Sequence, residues 1–420
     1  MRAFFFGALL ICSARSLSQK PALQHELQTA LGTLHKEIEN LTAIEKNLRE
    51  LSQKLERNRT EEAKERPKQD QFAAVFDGGS TGTRLNIYQF DSTGLTLKSH
   101  FFENVSPGIH KVESAEEVLK HLLRKGREFL KRCGHSPDYD FPVVFNGTAG
   151  LRLLESDKRE KILSQVKEVL VREMKRKDVE VRVIDGKEEG FYAWAALVFV
   201  TQAKEKIGII DLGGGSAQIS FEIDKDARKT EDGVVKGKTK NVLSRSFLGM
   251  GLVAGLEYIR KGDAAGACLW SAGTFDLAKC KRHVKSTIEG IILQRTGEKE
   301  TAPGISQIST IFVSSFISEI LQMIKGQKQT KFQDIKNLVD VVCRKNRTEE
   351  EKDALEKAPP GNPSVISNRA EKRGPDCINV IYAAMFMESL GVGLFTPIKD
   401  AADIPTDISW SLGRALSLIE

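Results

Sequence analysis

Two short stretches of the 420-residue chain share one pattern: VFDGGSTGTR at residues 75–84 and IIDLGGGSAQ at residues 209–218. Each runs from an apolar segment through an aspartate into a glycine-rich turn that carries a hydroxyl side chain. Glycines let the backbone turn sharply enough for successive N–H groups to converge on phosphate oxygens. A carboxylate at the end of a strand suits a hard divalent cation. The repetition predicts two lobes that each present a phosphate-binding loop to a shared cleft.

The sequence around these stretches alternates between strand-like and helix-like patterns. Short apolar runs predict strands at residues 72–76, 85–90, 142–145, 179–184, 207–211 and 218–222. Amphipathic runs predict helices at residues 114–132, 155–177 and 188–200. Strands that alternate with helices indicate an α/β fold, and 420 residues are enough for two lobes.

Two further segments place polar residues at predicted helix starts. NGTAGLR at residues 146–152 leads from a strand into a helix, where backbone amides and the helix dipole favour an anion. An ordinary helix cap at Thr148 is the alternative interpretation. DGKEEGFYAW at residues 185–194 places two glutamates in a first helical turn. Complementarity with the helix dipole would explain these glutamates without any catalytic role.

Together these segments resemble the catalytic segments of the nucleoside triphosphate diphosphohydrolase family, which includes apyrases and nucleoside diphosphatases. DGGSTGTR, NGTAGLRLL, GKEEGFYAW and DLGGGSAQI occur in the family's order. SFLGMGL (residues 246–252) and DISWSLG (residues 407–413) resemble two further family signatures. The resemblance covers residues 71–420 and implies an actin-like (ribonuclease H-like) two-lobed fold that hydrolyses terminal nucleotide phosphates with Ca²⁺ or Mg²⁺. It places residues 71–187 plus 398–420 in the first lobe and residues 188–397 in the second.

The resemblance also implies roles for individual residues. Glu189 matches the family's general base, and Ser216 and Gln218 match the residues that orient the attacking water. Asp77 and Asp211 match the carboxylates that hold a metal ion through water. The residues that match phosphate binders are Gly79, Ser80, Thr81, Gly82, Thr148, Ala149, Gly213, Gly214 and Gly215. Arg152 belongs to the shared motif but receives no role from it.

Some positions depart from the family pattern. Gly78 and Gly215 stand where alanine is usual, and Ala217 stands where threonine is usual; all are small-for-small changes. Asn146 precedes GTAG where alanine is commoner, and it lies in an N-x-S/T sequon. Because a glycan inside the proposed cleft would obstruct substrate, we expect Asn146 to be unmodified.

The STGTR form that contains Arg84, the short body and the few cysteines resemble the soluble luminal or secreted nucleoside diphosphatases, which favours UDP or GDP over ATP. An exopolyphosphatase is the alternative enzyme, because its fold and its two phosphate loops are similar. A non-catalytic secreted interaction protein, with a coiled coil and a nucleotide-sensing fold, is the alternative outside catalysis. TAGLR, the aromatic residues after EEG, and DISWSLG favour the nucleotide enzyme.

The N-terminus has the pattern of a secretory signal peptide over residues 1–18. Arg2 precedes a ten-residue apolar run at residues 3–12, which is too short to span a membrane. A buried strand or an uncleaved anchor is the alternative. The chain is therefore expected in the secretory pathway, either secreted or in the lumen of the endoplasmic reticulum or Golgi. Five sequons fit this location: Asn40, Asn58, Asn104, Asn146 and Asn346.

Removal of the signal peptide leaves five cysteines. In an oxidising compartment, proximity in sequence favours two disulfides, Cys268 with Cys280 and Cys343 with Cys377. Other pairings remain open at this stage. Cys133 is then a free or intermolecular thiol.

Residues 19–70 form a predicted helical extension with a heptad pattern. Leucines recur every seven residues from Leu27 to Leu55, and Leu31, Ile38, Ile44 and Leu51 fill intermediate positions with one shift in the repeat. Such a seam predicts a coiled coil and a homo-oligomer, with a docked amphipathic helix or a solvated stalk as alternatives. The formal charge of +6, from 63 basic and 57 acidic residues, is too small to indicate nucleic acid. No transmembrane helix is expected in the mature chain.

Overall fold

The computed structural model describes residues 21–65, 70–94, 96–223, 231–235, 238–261, 265–268, 275–296, 302–324, 330–343, 374–404 and 408–419. They fall into two units, divided between residues 69 and 70. The predicted signal peptide and the sequon at Asn346 lie outside the described residues.

The N-terminal unit is a single helix, α1 (Pro21–Glu65). This confirms a helix over residues 21–65 of the predicted extension. Among its described side chains, large apolar residues on the heptad seam are 48–65% exposed: Leu31, Leu34, Ile38, Leu41, Ile44, Leu48 and Leu51. An isolated helix gains little stability from propensity alone and normally buries such a face. The coiled coil itself stays a prediction.

The second unit begins with sheet A, which has the strand order β3-β2-β1-β4-β5. Its strands are β1 (Gln71–Gly78), β2 (Thr83–Phe90), β3 (Leu97–Val105), β4 (Val143–Gly147) and β5 (Glu180–Val183). β1 pairs antiparallel with β2 and parallel with β4, so the first glycine-rich turn closes a hairpin.

Helices cover both faces of sheet A. On one face, apolar residues of the sheet form a core with α2 (Ala115–Arg132) and α4 (Ser156–Met174), which follows the one-turn helix α3 (Ala149–Arg152). The other face packs against α5 (Gly186–Thr201) and the C-terminal helix α11 (Trp410–Ile419). Helices on both faces explain why β1 reads as an almost continuous apolar run.

Sheet B contains β6 (Ile207–Leu212), β7 (Ser216–Glu222), β8 (Glu231–Val235), β9 (Lys238–Leu248), β10 (Thr310–Ser315) and β11 (Ile398–Asp400). Its strand order is β11-β10-β6-β7-β9-β8. When the edge strand β8 is left aside and sheet B is read from β9 to β11, its strands follow the order third, second, first, fourth and fifth by position in the chain. Sheet A has the same order when it is read from β3. The second glycine-rich turn therefore closes the equivalent hairpin, β6–β7.

The largest core lies around sheet B and contains the helices that the sequence analysis did not resolve. They are α6 (Leu252–Lys261), α7 (Leu277–Thr296), α8 (Phe316–Gln322), α9 (Phe332–Val342) and α10 (Gly374–Ser389). Both expected disulfides are formed, between Cys268 and Cys280 and between Cys343 and Cys377. Cys133, at the end of α2, forms no disulfide with any described residue.

The predicted lobe boundary near residue 398 needs correction. β11 pairs with β10 in sheet B, so residues 398–400 belong with the second sheet and not with the first lobe. The chain returns toward sheet A at α11, which packs on α5 and β1. A three-residue strand carries too little periodicity to be recognised before its partner is known. No helix in the described parts of the chain is long and apolar enough to cross a membrane.

Candidate active site

A cleft of about 400 Å³ brings together almost all the predicted site residues. It is lined by Asp77, Gly79, Ser80, Thr81, Thr148, Ala149, Glu189, Asp211, Gly213, Gly214, Gly215, Ser216 and Gln218. Gly82 does not line it: this residue is buried, and a Cβ there would collide with the Asn104 side chain. The structure therefore places Gly82 where it permits the turn to pack, outside the cleft wall.

The second glycine-rich turn is fixed through its carbonyl groups. The N–H groups of Leu252 and Ala254 donate to the Gly213 and Gly214 carbonyls at 2.8 and 3.1 Å. Because C=O and N–H point in opposite directions across a trans peptide, the N–H groups of Gly214 and Gly215 point away from that segment. Both residues line the cleft, so these amides can serve an anion there. This contact explains why the SFLGMGL segment accompanies the loop in sequence.

Asp77 stands opposite Arg84 on the first hairpin. Arg84 Nη1 donates to Asp77 Oδ2 at 2.9 Å, whereas Oδ1 is buried without a hydrogen-bond partner among the described residues. Burial raises the pKa of Asp77, and the neighbouring Arg84 opposes that rise. The carboxylate therefore keeps one oxygen unused inside the cleft, as expected of a group that serves a ligand.

Asp211 occupies the equivalent position on the second hairpin. Ser314 Oγ and Ser315 Oγ, at the end of β10, donate to its Oδ1 at 2.9 and 2.6 Å. Neither serine could be assigned from the sequence, because they lie more than 100 residues from Asp211. Ser315 has a φ of +58°, which is uncommon for a residue other than glycine and places this turn beside the cleft.

The two glutamates at the start of α5 have different environments. Glu188 forms a capping box with Asp185, and it pairs with both terminal nitrogens of Arg182 at 2.8 Å. The helix-cap interpretation therefore applies to Glu188. Glu189 is only 7% exposed and lines the cleft, where Arg152 Nη2 donates to its Oε2.

The environment of Glu189 raises its pKa to about 8. Burial is the largest cause, since it penalises the charged carboxylate. The Arg152 cation opposes the shift, and the negative charges of Asp211 and Asp77 add to it. A carboxyl with a pKa near neutrality is suited to accept a proton at ordinary pH.

Ser216 and Gln218 point to the same side of β7, because alternate residues of a strand share a face. Gln218 Nε2 donates to Ser216 Oγ at 2.8 Å and to Glu189 Oε2 at 3.3 Å. It also reaches Ser246 Oγ, at 3.2 Å, from the directly opposite position on β9. Ser246 opens the SFLGMGL segment but was not assigned to the site, since only the strand register brings it there.

Thr148 precedes the one-turn helix α3. Its hydroxyl makes no capping hydrogen bond within the described segment 96–223, and it lines the cleft. This argues against the ordinary-cap interpretation. Asn146 lies in the middle of sheet A and is completely buried, which places its sequon out of reach of solvent in the folded protein.

The two carboxylates fit a hydrated divalent cation. No group of three or more His, Cys, Asp or Glu side chains placed to hold a metal occurs within the described residues. Asp77 and Asp211 nevertheless line one cleft, and the unpartnered Oδ1 of Asp77 is a hard oxygen donor. A cation held by two carboxylates and completed by waters matches this donor set.

Two sheets with the same strand order, each presenting a glycine-rich hairpin to one cleft, define the actin-like α/β fold. The chain is similar to the crystal structure of the Aquifex aeolicus member of the Ppx/GppA protein family, with a TM-score of 0.51 and 17% identity. The match covers 84% of this chain and 98% of the other, and at this identity it shows the fold alone.

Residues 63–264, nearly half of the chain, match the GDA1/CD39 (nucleoside phosphatase) family. The chain is 29% identical over 280 residues to ectonucleoside triphosphate diphosphohydrolase 5 of Ailuropoda melanoleuca, covering 61% of this chain and 63% of that one. It is 31% identical over 209 residues to nucleoside diphosphate phosphatase ENTPD5 of Homo sapiens, covering 44% and 47%. The matches thus span about half to two thirds of the length of these curated relatives.

Proposed function

We propose that the chain hydrolyses the terminal phosphate of nucleoside diphosphates and, to a lesser extent, triphosphates. The observation that carries this proposal is the position of Glu189, a buried carboxyl in a cleft that both glycine-rich turns line. A phosphate held by the turns would lie within the same 400 Å³ as the base. The match of residues 63–264 to a nucleoside phosphatase family supports the same reaction.

The proposed reaction is a direct displacement by water. Glu189 takes one proton from a water molecule while the water oxygen forms a bond to the terminal phosphorus. The bond from phosphorus to the bridging oxygen breaks, and the nucleotide with one phosphate fewer leaves. Ser216 and Gln218, which are hydrogen-bonded to each other beside Glu189, orient the water. Amides of Gly214 and Gly215 neutralise charge on the phosphate oxygens.

Asp77 and Asp211 are the residues proposed to hold Ca²⁺ or Mg²⁺ through water. When bound, the cation would neutralise the charge of the phosphate chain. Arg84 keeps the Asp77 carboxylate in place from one side through Oδ2. The two serines on β10 hold Asp211 in the same way, so each carboxylate has a fixed orientation before a ligand arrives.

For the substrate we propose UDP or GDP in preference to ATP. The human relative is named a nucleoside diphosphate phosphatase, which supports a diphosphate. The two disulfides support an oxidising compartment of the secretory pathway, in the lumen or outside the cell. A diphosphate left by glycosyl transfer in that compartment is a substrate of this class.

A panel of UDP, GDP, ADP, ATP and long-chain polyphosphate, assayed for phosphate release with Mg²⁺ and with Ca²⁺, tests this proposal. We expect turnover of UDP or GDP to exceed that of ATP, and none by Glu189→Gln. Turnover of polyphosphate alone would instead establish an exopolyphosphatase. No release from any of these substrates would favour the non-catalytic alternative.

We also propose that α1 associates with a second copy of the chain. The exposed seam from Leu31 to Leu51 supports this, because the same heptad face on two copies is complementary to itself. Residues 21–65 carry seven basic and nine acidic side chains, so two copies would not repel one another strongly. Leu41 is followed three residues later by Ile44, and the three-residue step changes the local supercoil without interrupting the seam.

A further inference from the structure

We infer that Arg152 is the positioning residue for the proposed base: it holds Oε2 of Glu189 and so reserves Oε1 for the proton of the attacking water. This inference rests on the proposed function and deepens it. The shared sequence motif contained Arg152 but indicated no role for it.

The hydrogen bonds of Glu189 distinguish its two oxygens. Arg152 Nη2 and Gln218 Nε2 both donate to Oε2, the second at 3.3 Å. No hydrogen bond among the described residues reaches Oε1. Because Oε1 is also not one of the buried atoms that lack a partner, it must be accessible to solvent. Since Glu189 lines the cleft, Oε1 is the oxygen that remains open to it.

Arg152 acts on the base from behind. Its side chain is 12% exposed and does not line the cleft, so a bound phosphate would not touch it. The same Nη2 lies 3.4 Å from Ser216 Oγ, the proposed water-orienting hydroxyl. One guanidinium at the end of α3 thereby contacts both the base on α5 and the hydroxyl on β7.

Gly186, the first residue of α5, provides the space for this guanidinium. A Cβ at this position would collide with Arg152 Nη1 and with Ser246 Oγ. The glycine in the GKEEG segment is therefore required by a side chain from another part of the chain. Its replacement by alanine would displace Arg152 without removing a polar group.

The charge of Arg152 has a second consequence for Glu189. It is the cation that opposes the effects of burial and of the negative charges on Asp77 and Asp211. Without it, the carboxyl would be more difficult to ionise and its orientation would depend on Gln218 alone.

The test compares Arg152→Gln, Arg152→Lys and Gly186→Ala with the wild-type chain, using the nucleotide that the wild type hydrolyses best. Arg172→Gln is the matched control, because Arg172 also pairs with a glutamate but is 54% exposed and outside the cleft. Circular dichroism establishes that each variant is folded. A loss of positioning of this kind typically costs on the order of 100-fold in rate.

We expect Arg152→Gln to lower kcat by 10- to 100-fold, leave KM within about 3-fold, and move the acid limb of the pH–rate profile to higher pH. Arg152→Lys should restore part of the rate, and Gly186→Ala should shift the acid limb in the same direction. A rise in KM with unchanged kcat, or an unmoved acid limb, would overturn the inference in favour of a substrate contact or a structural role.

Thermal melts keep the inference testable even without turnover. The difference in Tm between each chain and its Glu189→Gln derivative, followed against pH, reports the ionisation of Glu189. We expect this profile to move to higher pH in Arg152→Gln, and an unmoved profile would overturn the inference. Absence of turnover by the wild type, with a profile that does move, would reject the proposed function alone.

Discussion

Arg84 Nη1 donates a 2.9 Å hydrogen bond to Oδ2 of Asp77, and Oδ1 of the same carboxylate is buried with no partner in the described part of the chain. The two residues stand directly opposite one another on β1 and β2. A buried carboxylate oxygen without a partner is destabilising, so its retention in a cleft points to a ligand that supplies the missing interaction.

Asp77→Asn is expected to weaken the dependence of activity on divalent cations. The amide removes the negative charge that would attract the hydrated cation, and we expect kcat/KM to fall roughly 100-fold or more. Titration of Mg²⁺ or Ca²⁺ into the chelator-treated protein measures the change. Asp70→Asn is the matched control, because Asp70 pairs with Lys98 outside the cleft. An unchanged cation titration in Asp77→Asn would contradict the assignment.

Glu189→Gln and Glu188→Gln form a matched pair at adjacent positions. Removal of a general base typically costs 10²- to 10⁴-fold, and we expect Glu189→Gln to lose turnover on that scale while it stays folded. Glu188→Gln removes the ion pair with Arg182 but keeps an oxygen for the capping box, so it should lose about 1 kcal/mol of stability at most and retain turnover. Equal losses of turnover in the two variants would argue against Glu189 as the base.

The raised pKa of Glu189 predicts opposite effects of pH on activity and on stability. Activity requires the ionised base, so kcat/KM should rise with pH through about 8. Burial favours the protonated form of Glu189 in the folded state. The stability that this proton contributes is therefore complete below the unfolded pKa of 4.5, and it is lost as pH rises toward about 8. The Tm of the wild type should therefore fall relative to that of Glu189→Gln as pH rises from 4.5 toward about 8. A pH-independent difference between them would disprove the shift.

Substitution on the seam of α1 tests self-association. Leu41→Glu places a charge at an exposed apolar seam position, and we expect it to lower the mass of the particle measured by light scattering. Ala43→Glu adds the same charge at an exposed position off the seam and should leave the mass unchanged. A single-chain mass for the unmodified protein would instead mean a stalk or a docked helix. The phosphatase assay is independent of this outcome.

Asn146 and Asn104 provide a contrast in accessibility between two sequons. Asn146 is completely buried in β4, whereas Asn104 is exposed on β3. We expect glycopeptide mass spectrometry of the protein from a secretory host to find a glycan at Asn104 and none at Asn146. A glycan at Asn146 in active protein would contradict the described position of β4.

Local chemistry explains which parts of the fold were predictable. The two hairpin turns combine aspartate, glycines and hydroxyl residues within ten consecutive positions, so short-range sequence determines them. The heptad helix and the strands β1, β2, β4 and β5 follow from periodicity, and the two disulfides join cysteines 12 and 34 residues apart. β3, β8 to β11 and the helices α6 to α10 around sheet B were not predicted, because their patterns are short or resemble a buried run of either type.

By itself, the sequence determined the two glycine-rich turns, the α/β class and the set of candidate side chains, all of which depend on residues close together in the chain. Only the tertiary structure decided that Arg152 holds Oε2 of Glu189 and that serines at the end of β10 hold Asp211. These relationships join residues 37 and 103 positions apart, and they arise from packing and strand register, which no local pattern encodes. Burial in that packed cleft is also what raises the pKa of Glu189, so the property required of a base belongs to the fold and not to the residue type.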